Sequence, residues 1–145
     1  DQYEHSVLKD VANVTNITQP YDHFTTPEPV DLIFTAQNYH DMKIAEYHMG
    51  ETGDMNRAAF AALKPGGTYL IIDHSAIAGS TENQAHPLHR IDQDVVRHEV
   101  ESVGFVYDGE SQMLRNPADP RTASVFDPSI RGHTDQFVLR FRKPA

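Results

Sequence analysis

The chain has 145 residues, enough for one domain with a real core, and carries 12 basic against 21 acidic residues for a formal charge of −9. That balance excludes a phosphate-tracking nucleic-acid binder, because the basic cluster Arg140, Arg142 and Lys143 closes a strand pattern and reads as a solvated strand end. The lack of cysteine excludes disulfides, thiolate zinc sites and cysteine nucleophiles; no run is apolar for long enough to span a membrane, and no export signal is visible.

Val11 to Thr18 is rich in β-branched residues and is closed by Gln19-Pro20, which predicts a short strand. Pro27-Glu28-Pro29 is a stiff polar loop, and Val30 to Thr35 follows as an apolar strand of the kind buried in parallel sheets. Asp54 is a candidate N-cap for a helix from Met55 to Lys64, stopped by Pro65-Gly66-Gly67. Thr68 to Asp73 is the next strand. Ala76 to His86 is small and polar and reads as a mobile surface loop. Asp92 caps a helix to about Ser102, with Val96, Val100 and Val103 on one face and Gly104 at its stop. A strand starts at Phe105, a long Pro/Asp/Arg-rich excursion occupies Asn116 to His133, and Gln136 to Phe141 alternates as a last strand. Excursions of that length are often functional; this one is expected to fold over a crevice as a lid or to form an edge or dimer contact.

In an open α/β sheet, ligands bind beyond the carboxyl ends of the strands. Gln37-Asn38-Tyr39-His40-Asp41 stands at such an end, and Asp73-His74 stands at the next. His40 or His74 can act as a general base, since imidazole titrates near neutral pH, with Asp41 or Asp73 to orient it. We expect His40 to be partly open to water. Asn38 and Tyr39 are candidate substrate contacts, as are His89 and Arg90 just before a helix N-terminus. His5, His23, His48, His98 and His133 read as structural or solvent-exposed. No G-x-S-x-G elbow, G-x-G-x-x-G turn or P-loop is present.

Leu63-Lys64-Pro65-Gly66-Gly67 leading into Thr68 to His74 resembles the helix-turn-strand unit before the fifth strand of class I S-adenosylmethionine-dependent methyltransferases. The segments Gln37 to Asp41, Asp73-His74, Leu88 to Asp92, Leu114 to Asp119, Val125 to Pro128 and Asp135 to Leu139 are similar to those of a bacterial group of predicted methyltransferases. The resemblance implies a single α/β domain over 1–145, a partial Rossmann-like sheet. It would be mostly parallel with an antiparallel last strand, with helices on both faces. On that mapping the chain holds strands three to seven, Asp1 to Asp10 belongs to the helix before strand three, and the glycine-rich cofactor turn precedes Asp1.

The implied function is methyl transfer from S-adenosylmethionine to a small-molecule oxygen or nitrogen by the complete protein. His40, Asp41 and His74 would be catalytic, and this chain alone would bind the cofactor weakly or not at all. Some O-methyltransferases of that fold bind a divalent cation at the ends of strands four and five, places that Asp41, Asp73 and His74 match. The alternative is a fold without cofactor binding, serving as a metal-assisted hydrolase or a binding module. The resemblance further implies a bacterial protein in periplasm or cytoplasm. An unpaired sheet edge would favour a homo-oligomer.

Overall fold

A computed structural model describes residues 11–80 and 85–145, so the helix expected over Asp1 to Asp10 lies outside the described residues. Four strands form one sheet: β1 (Val30–Ala36), β2 (Leu63–His74), β3 (Val106–Ser111) and β4 (Gln136–Arg142), in the order β1-β2-β4-β3. β1 and β2 are parallel, while β4 runs antiparallel to both β2 and β3. Helix α1 (Thr52–Ala62) makes the crossover from β1 to β2, a four-residue helical turn α2 (Ala85–Leu88) follows β2, and α3 (Gln93–Ser102) precedes β3.

Val11–Thr18 forms no strand; a turn hydrogen bond from Val14 N–H to the Val11 carbonyl occupies its start, and Val11, Val14 and Ile17 are exposed. β-branched composition favours a pleated, half-buried surface, but a strand also needs a neighbour to pair with. Among the described residues none is offered to this segment.

The alternation of β2 and β4 places Tyr69, Ile71, Phe137, Leu139 and Phe141 on one face, all buried. Met55 and Ala59 of α1 and Val96 and Val100 of α3 pack into the same core. Full burial of each large aliphatic or aromatic side chain stabilises by about 1.5–3 kcal/mol, so this face anchors the sheet. The opposite face leaves Leu32 and Phe34 of β1 exposed.

Two local signals act as expected, and one acts differently. Asp92 caps α3, its carboxylate accepting from Asp94 N–H at 3.0 Å. β4 pairs with β2 in unbroken register from Thr68↔Arg142 to His74↔Gln136. However, α1 ends at Ala62, not Lys64, and its N-cap is Glu51 rather than Asp54. Pro65-Gly66-Gly67 is therefore an irregularity inside β2, where the register to β1 jumps between Val30↔Leu63 and Leu32↔Thr68. Gly66 takes a φ of 78° and its N–H reaches the Lys143 carbonyl; a Cβ at Gly67 would meet the Lys64 carbonyl at 2.9 Å. Glycine is required here for backbone conformation and for close approach.

Candidate active site

Parallel pairing of β1 with β2 brings their carboxyl ends side by side, and the two polar segments predicted there meet. Beyond β1 the chain enters a 3-10 turn, His40–Lys43. The His40 main-chain N–H donates to Asp73 Oδ2 at 2.8 Å, and its ring Nδ1 lies 2.7 Å from Asp73 Oδ1. Asp73 Oδ1 also accepts from the His74 N–H at 2.7 Å. A fully buried carboxylate receiving these groups acts as an acceptor, so it fixes the proton of His40 on Nδ1 and turns the lone pair of Nε2 outward.

Around that Nε2 two more groups gather. Asp41 Oδ1 lies 3.1 Å from it and His89 Nδ1 lies 3.2 Å from it, while His89 Nδ1 and Asp41 Oδ1 are 3.4 Å apart. His89 follows α2 in the left-handed region (φ 53°), with its N–H bonded to the Ala85 carbonyl. Its ring stands edge-on to Phe126 at 4.8 Å between centroids, with Tyr47 at 6.2 Å. Phe126 belongs to the excursion expected to fold over the crevice. It does fold back: Val125 N–H donates to the Leu88 carbonyl at 3.1 Å.

The environment splits the histidines. Burial works against the His40 cation, but the hydrogen bond and charge of Asp73, aided by Asp41, outweigh it and raise the pKa above 6.5. His74 goes the other way. Burial drives it down to about 4, with the charges of His40 and Arg90 adding to the effect and Asp73 opposing it. His89 is lowered as well, first by burial and then by the charge of His40.

The predicted site residues fall into two sets. His40, Asp41, Asp73 and His89 form one contiguous cluster, with the His74 ring 6.0 Å from that of His40. His40 is only 3% exposed, however, and not partly open as expected; its ring fills the space between Asp73 and His89. His74 faces Thr134, whose hydroxyl oxygen lies 2.7 Å from His74 Nδ1. Adjacent strand residues point to opposite faces, so Asp73 and His74 do not converge on Asp41 as a ligand set.

Tyr39 is wholly buried in the core; its hydroxyl donates to Glu99 and accepts from Asn56, both at 2.8 Å. Arg90 is buried too, with its guanidinium spent on Asp119 and on the carbonyls of Ser75 and Ala123. Asn38 is half-buried and accepts from the Thr35 hydroxyl. Tyr39 and Arg90 thus hold the walls of the site and have no free polar atom to offer a substrate.

Sequence reasoning passed over Glu99, Phe126 and Tyr47, the groups that hold Tyr39 and His89. Glu99 was accessible in principle, since it falls three residues after Val96 on the buried side of α3. Two larger cavities, of about 520 Å³ beside Met42 to Glu51 and about 380 Å³ between Ser75 and Arg115, are lined by neither His40, Asp41 nor His89. The cluster sits instead at an open lip, where the side chains of Asp41 and His89 are 24% and 16% exposed.

Strand order, the single parallel pair and the antiparallel last strand can be set against solved structures. The chain superposes on the [4+2]-cyclase SpnF with a TM-score of 0.69 at 14% identity, covering 99% of this chain and 61% of that one. For the N-methyltransferase NodS from Bradyrhizobium japonicum the values are 0.64, 15%, 97% and 66%, and NodS has also been solved with S-adenosyl-L-homocysteine. A SAM-dependent methyltransferase from Aquifex aeolicus gives 0.59, 16%, 97% and 60%. The fold is that of the class I methyltransferases.

The chain spans about three fifths to two thirds of the length of these structures. No protein-family model matches it, and no curated protein matches its sequence. Within the methyltransferase fold the His40–Asp73 pair occupies the carboxyl ends of β1 and β2, the side on which open α/β sheets bind their ligands. Among the described residues no helix is long and apolar enough to cross a membrane.

Proposed function

We propose that the complete protein transfers the methyl group of S-adenosylmethionine to an oxygen or nitrogen of a small molecule, and that the His40 cluster handles the acceptor. In that reaction the bond from sulfur to the methyl carbon breaks and a bond from the acceptor atom to carbon forms. The acceptor's proton would pass to Nε2 of His40, acting as general base. The observation that supports this reading is the His40–Asp73 pair at the strand ends of a methyltransferase fold: a carboxylate fixes the ring so that Nε2 presents a lone pair toward Asp41 and His89. Asp41, at the half-exposed lip, would orient the acceptor, with His74 and Asn38 at the margin of the same crevice.

The test is transfer of labelled methyl from S-adenosylmethionine by the complete protein to a panel of phenols, alcohols and amines. His40→Ala should abolish transfer while leaving cofactor affinity within about twofold. A complete protein that neither binds S-adenosylhomocysteine nor transfers methyl would overturn the reading. It would favour the alternative, a metal-assisted hydrolase or a binding module built on the same side chains. The chain alone, lacking a glycine-rich turn to present backbone N–H groups to the cofactor, should bind S-adenosylmethionine weakly or not at all; calorimetry showing micromolar affinity would refute this. The outer edge of β1, unpaired among the described residues and next to the exposed Leu32 and Phe34, supports a homo-oligomer of this 145-residue chain. Light scattering on this 145-residue chain checks it, and a stable monomer at micromolar concentration counts against it. For the compartment we carry forward both periplasm and cytoplasm in a bacterial host.

A further inference from the structure

We infer that His40, Asp41 and His89 form a binding site for one divalent transition-metal ion, of which zinc is the best match. The ion would take the Nε2 lone pair of His40 that methyl transfer would use as a base, so metal binding is tested by itself, without S-adenosylmethionine. Asp73 holds the Nδ1 proton of His40, so a metal ion would compete with a proton for Nε2 alone. Nε2 faces Asp41 Oδ1 across 3.1 Å, a contact that a shared proton or a cation in its place can fill. His89 Nδ1 stands 3.2 Å from the first atom and 3.4 Å from the second. A single proton on His89 can serve one of these two acceptors well; a cation placed over the triangle serves all three atoms at once.

The size of the triangle fits. Ligand atoms bonded to zinc at about 2.0–2.1 Å in a tetrahedral site stand roughly 3.3 Å from one another, close to the three separations seen. An ion about 2.1 Å from each atom would lie about 1 Å above their plane and keep its remaining position open to the crevice. Two imidazoles and one carboxylate favour a borderline ion such as zinc over magnesium, which prefers oxygen donors.

The outer groups are also in place. Metal-binding histidines usually donate their other ring N–H to a carboxylate or carbonyl, which fixes tautomer and orientation, and His40 does so to Asp73. The His89 ring is fixed by Phe126 and Tyr47. The set expected from sequence, Asp41, Asp73 and His74, shares only Asp41 with this one. An ion here would lower the pKa of any oxygen it binds, whether of water or of a substrate hydroxyl.

The experiment is calorimetric titration of the chelator-treated protein with zinc chloride alone, with no S-adenosylmethionine present, followed by thermal melts. One equivalent should bind, and the melting temperature should rise because the ion binds only the folded state. Cobalt substitution should give the intense visible bands of a four-coordinate site. His89→Ala and Asp41→Asn should each weaken zinc binding by at least about 100-fold, more than the roughly 10–100-fold typical for loss of an outer-shell partner, while His86→Ala, at an exposed neighbour, should leave it unchanged. If His89→Ala does not fold, the near-isosteric Asp41→Asn decides. Binding that survives Asp41→Asn, disappears in His86→Ala, is absent in the wild type, or is matched by magnesium would overturn the inference. The labelled-methyl assay, run on the chelator-treated protein, reads methyl transfer separately, so failure of one reading is distinguishable from failure of the other.

Discussion

Asp119 and Asp135 are surrounded by three arginines, whereas Asp41 and Asp73 are surrounded by three histidines. In the first cluster every partner is complementary. Asp119 Oδ2 accepts from Arg90 Nη1 at 2.8 Å and Asp135 N–H at 2.7 Å, and Oδ1 accepts from Arg90 Nη2 and Arg121 N–H. Asp135 Oδ2 takes Arg115 and Arg121, and Oδ1 takes the Asn116 N–H. In the second cluster Asp73 is served this way, while Nε2 of His40, Oδ1 of Asp41 and Nδ1 of His89 meet within 3.4 Å of one another and share protons that a cation could replace. The arginine cluster pins the Asn116–His133 excursion to the sheet. The histidine cluster, a few residues along the same segments, is left with coordination capacity. Burial and charge alone do not distinguish a structural polar cluster from a chemical one. The match of donors to acceptors does.

Arg90→Met breaks the comparison hardest. It leaves Asp119 buried without its countercharge, and removing one partner of a buried ion pair costs about 3–5 kcal/mol. Urea unfolding should show a loss of that size, and a loss below about 1 kcal/mol would mean that the pair behaves like a surface one. His40→Ala comes next. Because the ring is buried and bonded to Asp73, its removal should cost about 1–3 kcal/mol. Since the sequence suggested a crevice residue half open to water, a melting temperature unchanged by His40→Ala would show that the open picture was right.

Tyr39→Phe should have a smaller effect, about 1 kcal/mol for the buried hydroxyl shared by Glu99 and Asn56, with no effect on the KM of any methyl acceptor. A raised KM with stability intact would return Tyr39 to the substrate.

Those cases mark where sequence reading works and where it stops. β1 and α3 were legible within a residue because local signals decide them: an apolar run after Pro27-Glu28-Pro29, and an Asp92 cap followed by valines at helical spacing. The meeting of His40 with Asp73 followed from strand order, which the K-P-G-G resemblance supplied. What could not be read is what distant elements contribute. Tyr39 and His40 are neighbours in a polar motif, yet one is turned into the core by Glu99 and Asn56 and the other toward His89. Arg90 looks like an anion ligand until Asp119, 29 positions on, takes it. Val11 to Thr18 has the composition of a strand, but composition cannot provide a partner.

The smallest effect separates the two clusters along the pH axis. Burial alone would raise Asp119, but Arg90 and the N–H groups of Arg121 and Asp135 outweigh it and hold the carboxyl below 3.8. A depressed carboxyl stabilises the fold fully above its unfolded pKa, and that contribution is lost as pH falls through the lower folded value. The stability gap between wild type and Asp119→Asn should therefore be constant above about pH 5 and narrow only below about 3.8. His74 answers in a different window. Kept neutral by burial, with its pKa at about 4, it binds fewer protons folded than unfolded between that value and about 6.5. Stability should therefore decline as pH falls across that interval, and His74→Asn should remove this arm while leaving the acid arm of Asp119 in place. Urea unfolding at half-unit steps from pH 7 to 3 reads both. If both variants alter the same window, the two clusters titrate as one unit, and the division drawn between them fails.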